Sequence, residues 1–262
     1  MLKVLFIGDV VGRPGRECLK KMLAGIVREW QVDLVIANGE NAAGGFGITA
    51  AVFRELRAAG VDLVTGGNHI WDNKDVYTFI DVETRLLRPA NYPAGTTPGR
   101  GATIVRVKDQ PVGVINLSGR IFMPPIDCPF RRAEEEVYNL KSKTKIILVD
   151  FHAEATSEKQ ALGWFLDGKV SALIGTHTHA QTADERILPQ GTAYISDAGF
   201  TGLYNSVLGV DPEAVLFKML TGLPKRFTIS CGEEMQFNGV IVEIDRITGK
   251  ARSIKRILEV IR

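Results

Sequence analysis

Short, continuously apolar segments alternate with an amphipathic helical segment at the start of the chain. The apolar segments cover residues 3–8, 33–37 and 61–67, and residues 16–30 between the first two place their apolar side chains at helical spacing. Strands that are covered on both faces have continuous apolar sequences, and a β-α-β-α-β order favours parallel pairing. The chain is therefore predicted to form an α/β fold in which a parallel sheet lies between helices.

Helix and strand signals continue beyond this region. Thr49 is a suitable N-cap for a helix that ends near Gly60, and Ser157 with Gln160 fits a capping box at the start of a later helix. Residues 239–260 alternate apolar and polar residues on both sides of a Thr-Gly turn. This last pattern predicts an antiparallel hairpin.

Composition excludes several classes of protein. The formal net charge is +2, and the basic residues are spread along the chain, so there is no footprint for non-specific nucleic-acid binding. The three cysteines are far apart without a C-x-x-C pair, which argues against a disulfide framework and favours a reducing compartment. No apolar run approaches the roughly 18 residues of a membrane helix, and the segment MLKVLFIGDV has neither the h-region length nor the cleavage site typical of a signal peptide. A cytoplasmic location is expected.

Polar residues that can bind metal ions follow the predicted strands. They are Asp9, the sequence Asn-Gly-Glu-Asn at 38–41, Asn68 and all four histidines of the chain: His69, His152, His177 and His179. Ligands of open α/β sheets bind outside the carboxyl ends of the strands, so these side chains are expected to meet at one edge. In extended backbone His177 and His179 would point to the same side. Imidazole, carboxylate and amide groups together suit Mn, Fe or Zn, and a pair of such ions catalyses phosphoryl transfer with an activated hydroxide.

Each of these residues has a simpler interpretation when taken alone. Asp9 is suited to N-cap the next helix, Asn38 and Asn41 are common turn residues, and a single histidine after a strand is often structural. The combination at five strand ends favours the metal site.

The same motifs resemble a known family. The segments GDVVGRPGR, NGENAAGGFGIT, GGNHIWDN, DFHAEATSEK and GTHTHAQTADE are similar to the bacterial YmdB-type phosphodiesterases of the calcineurin-like metallophosphoesterase superfamily. The chain departs from the wider superfamily in three places: Val11 replaces a histidine, Glu40 replaces the usual bridging aspartate, and Ile70 replaces an acid. The YmdB-type pattern shares these departures.

The resemblance implies a site and a fold. Its metal ligands would be Asp9, Glu40, Asn41, Asn68, His152, His177 and His179, with Glu40 bridging two divalent or trivalent ions, iron or manganese. His69 would be catalytic and would assist the leaving oxygen. The implied fold is an α/β sandwich of mixed sheets flanked by helices. We expect residues 1–262 to form one domain, with a small cap built from the irregular middle of the chain or within residues 201–237.

The implied activity is the hydrolysis of cyclic nucleotides, chiefly 2′,3′-cyclic, with 3′,5′-cyclic nucleotides as further candidates. Gly44 and Gly45 could let backbone N–H groups approach the phosphate, or could form a flexible turn. Phe122, Phe200 and Tyr204 are candidates to stack on a base. Two alternatives stay open: a phosphomonoesterase or protein phosphatase on the same metals, and a regulatory protein that senses a nucleotide. A homo-oligomer is expected from the size of the domain.

Overall fold

A computed structural model describes residues 1–230 and 232–262, and the secondary structure below refers to these residues. The α-helices are α1 (Gly12–Trp30), α2 (Ala50–Ala58), α3 (Pro129–Lys141), α4 (Thr156–Leu166) and α5 (Pro212–Thr221), and a 3₁₀ helix covers Lys74–Thr78. The strands are β1 (Leu2–Ile7), β2 (Asp9–Val10), β3 (Leu34–Asn38), β4 (Leu63–Thr65), β5 (Leu86–Leu87), β6 (Ala102–Val107), β7 (Gln110–Ser118), β8 (Ile146–His152), β9 (Ala172–Thr176), β10 (Arg186–Ile187), β11 (Ala193–Ile195), β12 (Phe200–Leu203), β13 (Met235–Ile244) and β14 (Ala251–Ile261).

The strands form two mixed sheets. The first sheet has the order β2-β12-β13-β1-β3-β4-β5, with β14 paired to β13, and the second has the order β10-β11-β9-β8-β7-β6. Strand β1 pairs in parallel with β3 on one side and antiparallel with β13 on the other. The parallel arrangement predicted for the first three apolar segments is confirmed, and the predicted terminal hairpin is β13–β14.

The alternation of side chains along each strand builds a four-layer sandwich. Leu2, Val4 and Phe6 belong to the apolar cluster shared by the two sheets, whereas Leu5 and Ile7 belong to the cluster beneath α1 and α2. A third cluster joins the outer face of the second sheet to α3 and α4. Because both faces of each sheet are covered, strands such as β3 and β8 are apolar along most of their length. The expected sandwich of mixed sheets flanked by helices is confirmed.

The helix boundaries correct part of the prediction. Thr49 caps α2 as expected, because its Oγ1 accepts a hydrogen bond from Val52 N at 3.1 Å. The capping box at Ser157 is wrong: α4 begins at Thr156, and the N-cap residue Ala155 makes no side-chain bond. Helix α1 begins at Gly12, four residues before the start of the predicted segment 16–30, because its first turn contains few apolar residues.

Residues 204–230, here called the cap segment, lie between β12 and β13 and contain α5. Asp211 caps α5 by accepting a hydrogen bond from Glu213 N at 2.9 Å. The segment folds back on itself, because Val210 forms an antiparallel bridge with Ile229 and Asp211 N donates to Thr228 O at 3.0 Å. Within the described residues, the helices lack the combination of length and apolar character that membrane crossing requires.

Candidate metal centre

The carboxyl ends of strands from both sheets meet at one edge of the sandwich. All seven residues predicted as metal ligands lie there, and each is within 4 Å of at least one other. The first sheet supplies Asp9, Glu40, Asn41 and Asn68, and the second supplies His152, His177 and His179. The two sheets therefore contribute different chemistry, oxygen donors on one side and imidazoles on the other.

His152 occupies the centre of this cluster. Its Nε2 lies 3.0 Å from Glu40 Oε1, 3.1 Å from Asn68 Oδ1 and 3.0 Å from His177 Nδ1. A single ring N–H can serve only one strong acceptor. Potential ligand atoms of Glu40, His152 and His177 all lie within 4.8 Å of one another, which is the convergence that a cation requires.

Asp9 provides a second observation that fits a cation. Its side chain is fully buried, and within the described residues its Oδ1 has no hydrogen-bond partner. His152 Nδ1 is 3.7 Å and His179 Nε2 is 3.8 Å from that oxygen. Burial raises the pKa of the Asp9 carboxyl, and the two imidazoles oppose this rise. A buried carboxylate oxygen without a partner is costly, and a metal ion would remove that cost.

The ionisation of the central pair has opposing causes. Burial acts to raise the pKa of Glu40, but His152 outweighs it and the pKa is lowered to about 2. Burial acts to lower the pKa of His152, but Glu40 and Asp9 raise it to about 9. For His177, burial and the neighbouring His152 lower the pKa to about 3. Since a proton and a cation compete for the same imidazole nitrogen, binding a cation at His152 releases a proton.

A buried network supports His152 from the side away from Glu40. Its Nδ1 is 2.9 Å from Thr176 Oγ1, which donates to Asp150 Oδ1 at 2.7 Å. Asn38 Nδ2 donates to Asp150 Oδ2 at 3.1 Å, and Asn38 Oδ1 accepts from Glu40 N at 3.1 Å. Partners of this kind fix the orientation and tautomer of a ligand histidine. Asn38 thus acts behind the site.

The His177–His179 turn differs from its prediction. His177 and His179 follow β9 with φ angles of 99° and 61°, so the expectation of extended backbone is wrong. Residues other than glycine rarely adopt this left-handed region, and it persists only where the surroundings hold it. Both rings nevertheless reach the site, because His179 Nε2 is 3.2 Å from Asn41 Nδ2 and His177 Nδ1 contacts His152.

Asp197 and Lys159 hold this turn, and the sequence interpretation missed both. Asp197 Oδ2 accepts hydrogen bonds from Thr178 N at 3.0 Å, Thr178 Oγ1 at 2.8 Å and Lys159 Nζ at 2.8 Å. The charged side chains of the pair are each only 1 % exposed. A signal was present, since Asp197 follows β11 as other polar residues follow their strands. The Thr178 side chain thus bonds to Asp197 and not to a predicted metal ligand.

We expect Asp197→Asn to weaken metal affinity by about 10- to 100-fold, the usual effect of losing a partner behind the ligands. The substitution removes the charge that fixes both the Thr178 backbone and Lys159. Metal titration followed by calorimetry measures the effect, and excess metal should restore most activity. Asp109→Asn, at an exposed aspartate with a left-handed backbone, is the matched control. Wild-type metal affinity in Asp197→Asn would contradict this role.

His69 lies beside the cluster at the open side. Its backbone N donates to Glu40 Oε2 at 2.9 Å, and its Nδ1 is 2.7 Å from Asp72 Oδ2. The side chain is 34 % exposed, and the Phe46 ring contacts it edge to face at 5.4 Å between centroids. Asp72, which sequence reasoning did not single out, therefore orients the ring and leaves Nε2 for a substrate.

The predicted substrate-binding residues fall in different places. Gly44 and Gly45 have left-handed backbones with φ of 67° and 97°, but the Gly45 N–H donates to Asn41 O at 3.1 Å and so serves the loop. Phe200 is buried and stacks on the His179 ring, with 5.5 Å between centroids. Phe122 is 89 % exposed, and neither it nor Tyr204 lines the cavity beside the cluster.

The chain is similar to known proteins over nearly its whole length. The profile of the family described as YmdB-like protein matches residues 5–257. The Bacillus subtilis protein named 2′,3′-cyclic-nucleotide 2′-phosphodiesterase is 49 % identical over 257 residues, covering 98 % of this chain and 97 % of that one. The crystal structure of a novel phosphatase from Mycoplasma pneumoniae has a TM-score of 0.92 and 36 % identity, covering 99 % of this chain and 93 % of that one.

A more distantly related structure shares the fold. Haemophilus influenzae NAD nucleotidase has a TM-score of 0.59 at 16 % identity, and the match covers 99 % of this chain but 56 % of that one. At this identity the likeness concerns the fold alone.

Proposed function

The chain belongs to the YmdB-like protein family, and from this we propose that it is a metal-dependent phosphodiesterase acting on 2′,3′-cyclic nucleotides. One observation supports the proposal above all: the Asp9 carboxylate is buried beside the cluster around His152, with one oxygen that finds no partner in the described part of the chain. A cation bound at the carboxyl edge of the two sheets would suit a phosphodiester anion.

We propose that the seven converging residues hold two metal ions, with iron or manganese as the candidates. Asp9 and His179 would hold one ion, Asn68, His152 and His177 the other, and Glu40 both, with Asn41 completing the set. The mixture of imidazole, carboxylate and amide donors without a thiolate fits these metals. When bound, the ions would supply an activated water and neutralise charge on the phosphate oxygens.

His69 is proposed as the general acid. The attacking water oxygen would form a bond to phosphorus and lose a proton to solvent, the bond from phosphorus to O2′ would break, and O2′ would take a proton from His69 Nε2, which solvent then replaces. The product is then a nucleoside 3′-phosphate, in keeping with the 2′ specificity in the name of the Bacillus subtilis relative. Asp72 at Nδ1 orients the imidazole so that Nε2 faces this transfer. Hydrolysis of 3′,5′-cyclic nucleotides at the same site is a further proposal.

A phosphatase is the second candidate, because the Mycoplasma pneumoniae structure is described as one. The shape of the site favours the diesterase on a small molecule. The cavity above the cluster has a volume of about 220 Å³ and is walled on one side by the cap segment. A cavity of this size is suited to a nucleotide rather than to a loop of a phosphoprotein.

A turnover panel tests this assignment. We expect 2′,3′-cyclic AMP to be hydrolysed to 3′-AMP, with kcat/KM at least about 100-fold above that for 3′-AMP or a phosphopeptide. This ratio corresponds to a difference of about 2.7 kcal/mol in transition-state stabilisation. Activity should disappear after chelation and return with manganese or iron. Comparable rates on the phosphopeptide would contradict the proposal, and binding without turnover would favour the nucleotide-sensing alternative.

Three further expectations stay proposals. The chain is proposed to act as a single domain in which residues 201–237 contain the cap, to work in the cytoplasm, and to assemble as a homo-oligomer, as α/β enzymes of this size often do.

A further inference from the structure

A cavity of about 220 Å³ continues outward from the metal cluster. Its polar side is the site itself, because the cavity lining includes five residues already described: Glu40, Asn41, His69, His177 and His179. A phosphate held at the cluster would therefore direct the remainder of its nucleotide into this space or into solvent.

The other walls of the cavity are almost entirely apolar. They are formed by the N-cap residue of α1, by the loop after β3 and by the cap segment. The residues are Val11, Gly45, Phe46, Leu208, Val210, Phe227, Thr228 and Ile229. Thr228 is the one residue of this set with a polar side chain. The described lining thus offers aromatic and aliphatic contact, but few groups that could hydrogen-bond the edge of a base.

The apolar wall is built into the fold. Leu208 O lies 3.0 Å from His179 Nδ1, which ties the cap segment directly to a metal-ligand side chain. The Ile229 side chain packs against Gly12 and Gly45. A Cβ atom added at Gly12 would lie 3.1 Å from the Ile229 side chain, and one added at Gly45 would lie 2.6 Å from it, so glycine at both positions makes room for Ile229. Lys218 Nζ lies 4.8 Å from the centroid of the Phe227 ring. These contacts join the wall to the rest of the site.

We propose that this cavity is a nucleobase subsite, in which Phe227 and Phe46 contact the base and no side chain reads its identity. The inference rests on the proposed function and names how that site would hold its substrate. Every base has an apolar π-face, so aromatic contact contributes to affinity without selecting a sequence. Strong rejection of an analogue needs buried groups that would be left unpaired, and the cavity offers almost none.

Binding of the base without recognition of its identity has a measurable consequence. The adenine and guanine 2′,3′-cyclic nucleotides should have kcat/KM values within about tenfold of each other, and so should the cytosine and uracil compounds, because an apolar pocket discriminates weakly between ligands of similar shape. A preference of more than about 100-fold within either pair would overturn the proposal, since bases of the same size differ mainly in their hydrogen-bonding edges.

The decisive experiment compares 2′,3′-cyclic AMP with methyl ribofuranoside 2′,3′-cyclic phosphate, which keeps the reacting group and lacks the base. Stacking contributes about 1–3 kcal/mol per base, so the wild type should prefer the nucleotide by about 10- to 100-fold in kcat/KM. Phe227→Ala should reduce that preference about tenfold. Tyr138→Ala, which removes an exposed aromatic ring on α3 that does not line the cavity, should keep the wild-type preference.

A binding measurement supplies a readout that does not depend on turnover. Calorimetry should show adenosine 3′-phosphate binding more tightly than ribose 3-phosphate, with the difference reduced by Phe227→Ala. If that variant destabilises the cap segment, Phe46→Ala tests the opposite wall. Equal turnover of the two cyclic phosphates by the wild type, or a preference unchanged in both variants, would overturn the subsite alone. Failure to hydrolyse either compound would overturn the proposed function as well.

Discussion

Replacing Glu40 by glutamine is expected to reduce kcat/KM for 2′,3′-cyclic AMP by about 1,000-fold, because metal ions contribute several kcal/mol to the transition state. Glu40 is 1 % exposed, and its Oε1 lies 3.0 Å from His152 Nε2. The amide preserves size and can accept the hydrogen bond from His69 N, but it removes the negative charge at the centre of the cluster. Both metal content and turnover should therefore fall.

Metal content by plasma mass spectrometry and initial rates together measure this effect. Glu135→Gln, on the exposed face of α3, makes the same chemical change away from the site and should behave as wild type. A Glu40→Gln protein that retains two equivalents of metal and full activity would contradict the assignment of the cluster as the catalytic centre.

Gly67→Ala is expected to be nearly as damaging, although residue 67 carries no functional group. A Cβ at this position would overlap the Glu40 carboxylate and the His152 ring. The backbone of Gly67 is outside the left-handed region, so alanine is not excluded by its φ angle. The added methyl group would therefore push apart the two side chains at the centre of the site, and we expect a loss of about 1,000-fold in kcat/KM.

The control for this variant is Gly25→Ala. Gly25 lies within α1, where an added Cβ meets nothing within 4 Å, and alanine should stabilise the helix by about 0.5–1 kcal/mol. Circular dichroism should show that Gly67→Ala is folded, and metal titration should show weaker binding. Wild-type metal affinity in Gly67→Ala would mean that the loop adapts and that the packing around Glu40 is looser than described.

The chemistry of the site could be predicted from sequence more completely than its geometry. Strand ends in a parallel arrangement share one edge, so the common edge of Asp9 and Glu40 follows from the order of apolar runs. That order does not show that His152 belongs to a second sheet whose edge meets the first. The left-handed backbone at His177 does not follow, because it depends on Asp197, which is twenty residues away in sequence. A hydrogen bond of that kind leaves no periodic signal.

The fold was predictable to a similar extent. Parallel pairing of β1 and β3 follows from the β-α-β pattern, but the antiparallel insertion of β13 beside β1 does not, because a hairpin sequence does not state which strand it joins. The apolar wall of the cavity was also missed. Phe227 and Ile229 lie outside any helix or strand of the structure, where apolar residues have no spacing that predicts a shared surface.

The position of β13 has a consequence for biosynthesis. Strand β13 lies between β12 and β1, and its Asn238 carbonyl accepts the hydrogen bond of Gly8 N, immediately before Asp9. The first side chain of the site is therefore secured by a strand that leaves the ribosome more than 200 residues after it. Chains fold during synthesis from the N-terminus, and contacts between distant segments form late. A nascent chain that ends before residue 235 would carry all seven proposed ligand residues and still lack the strand that bonds to the backbone beside Asp9.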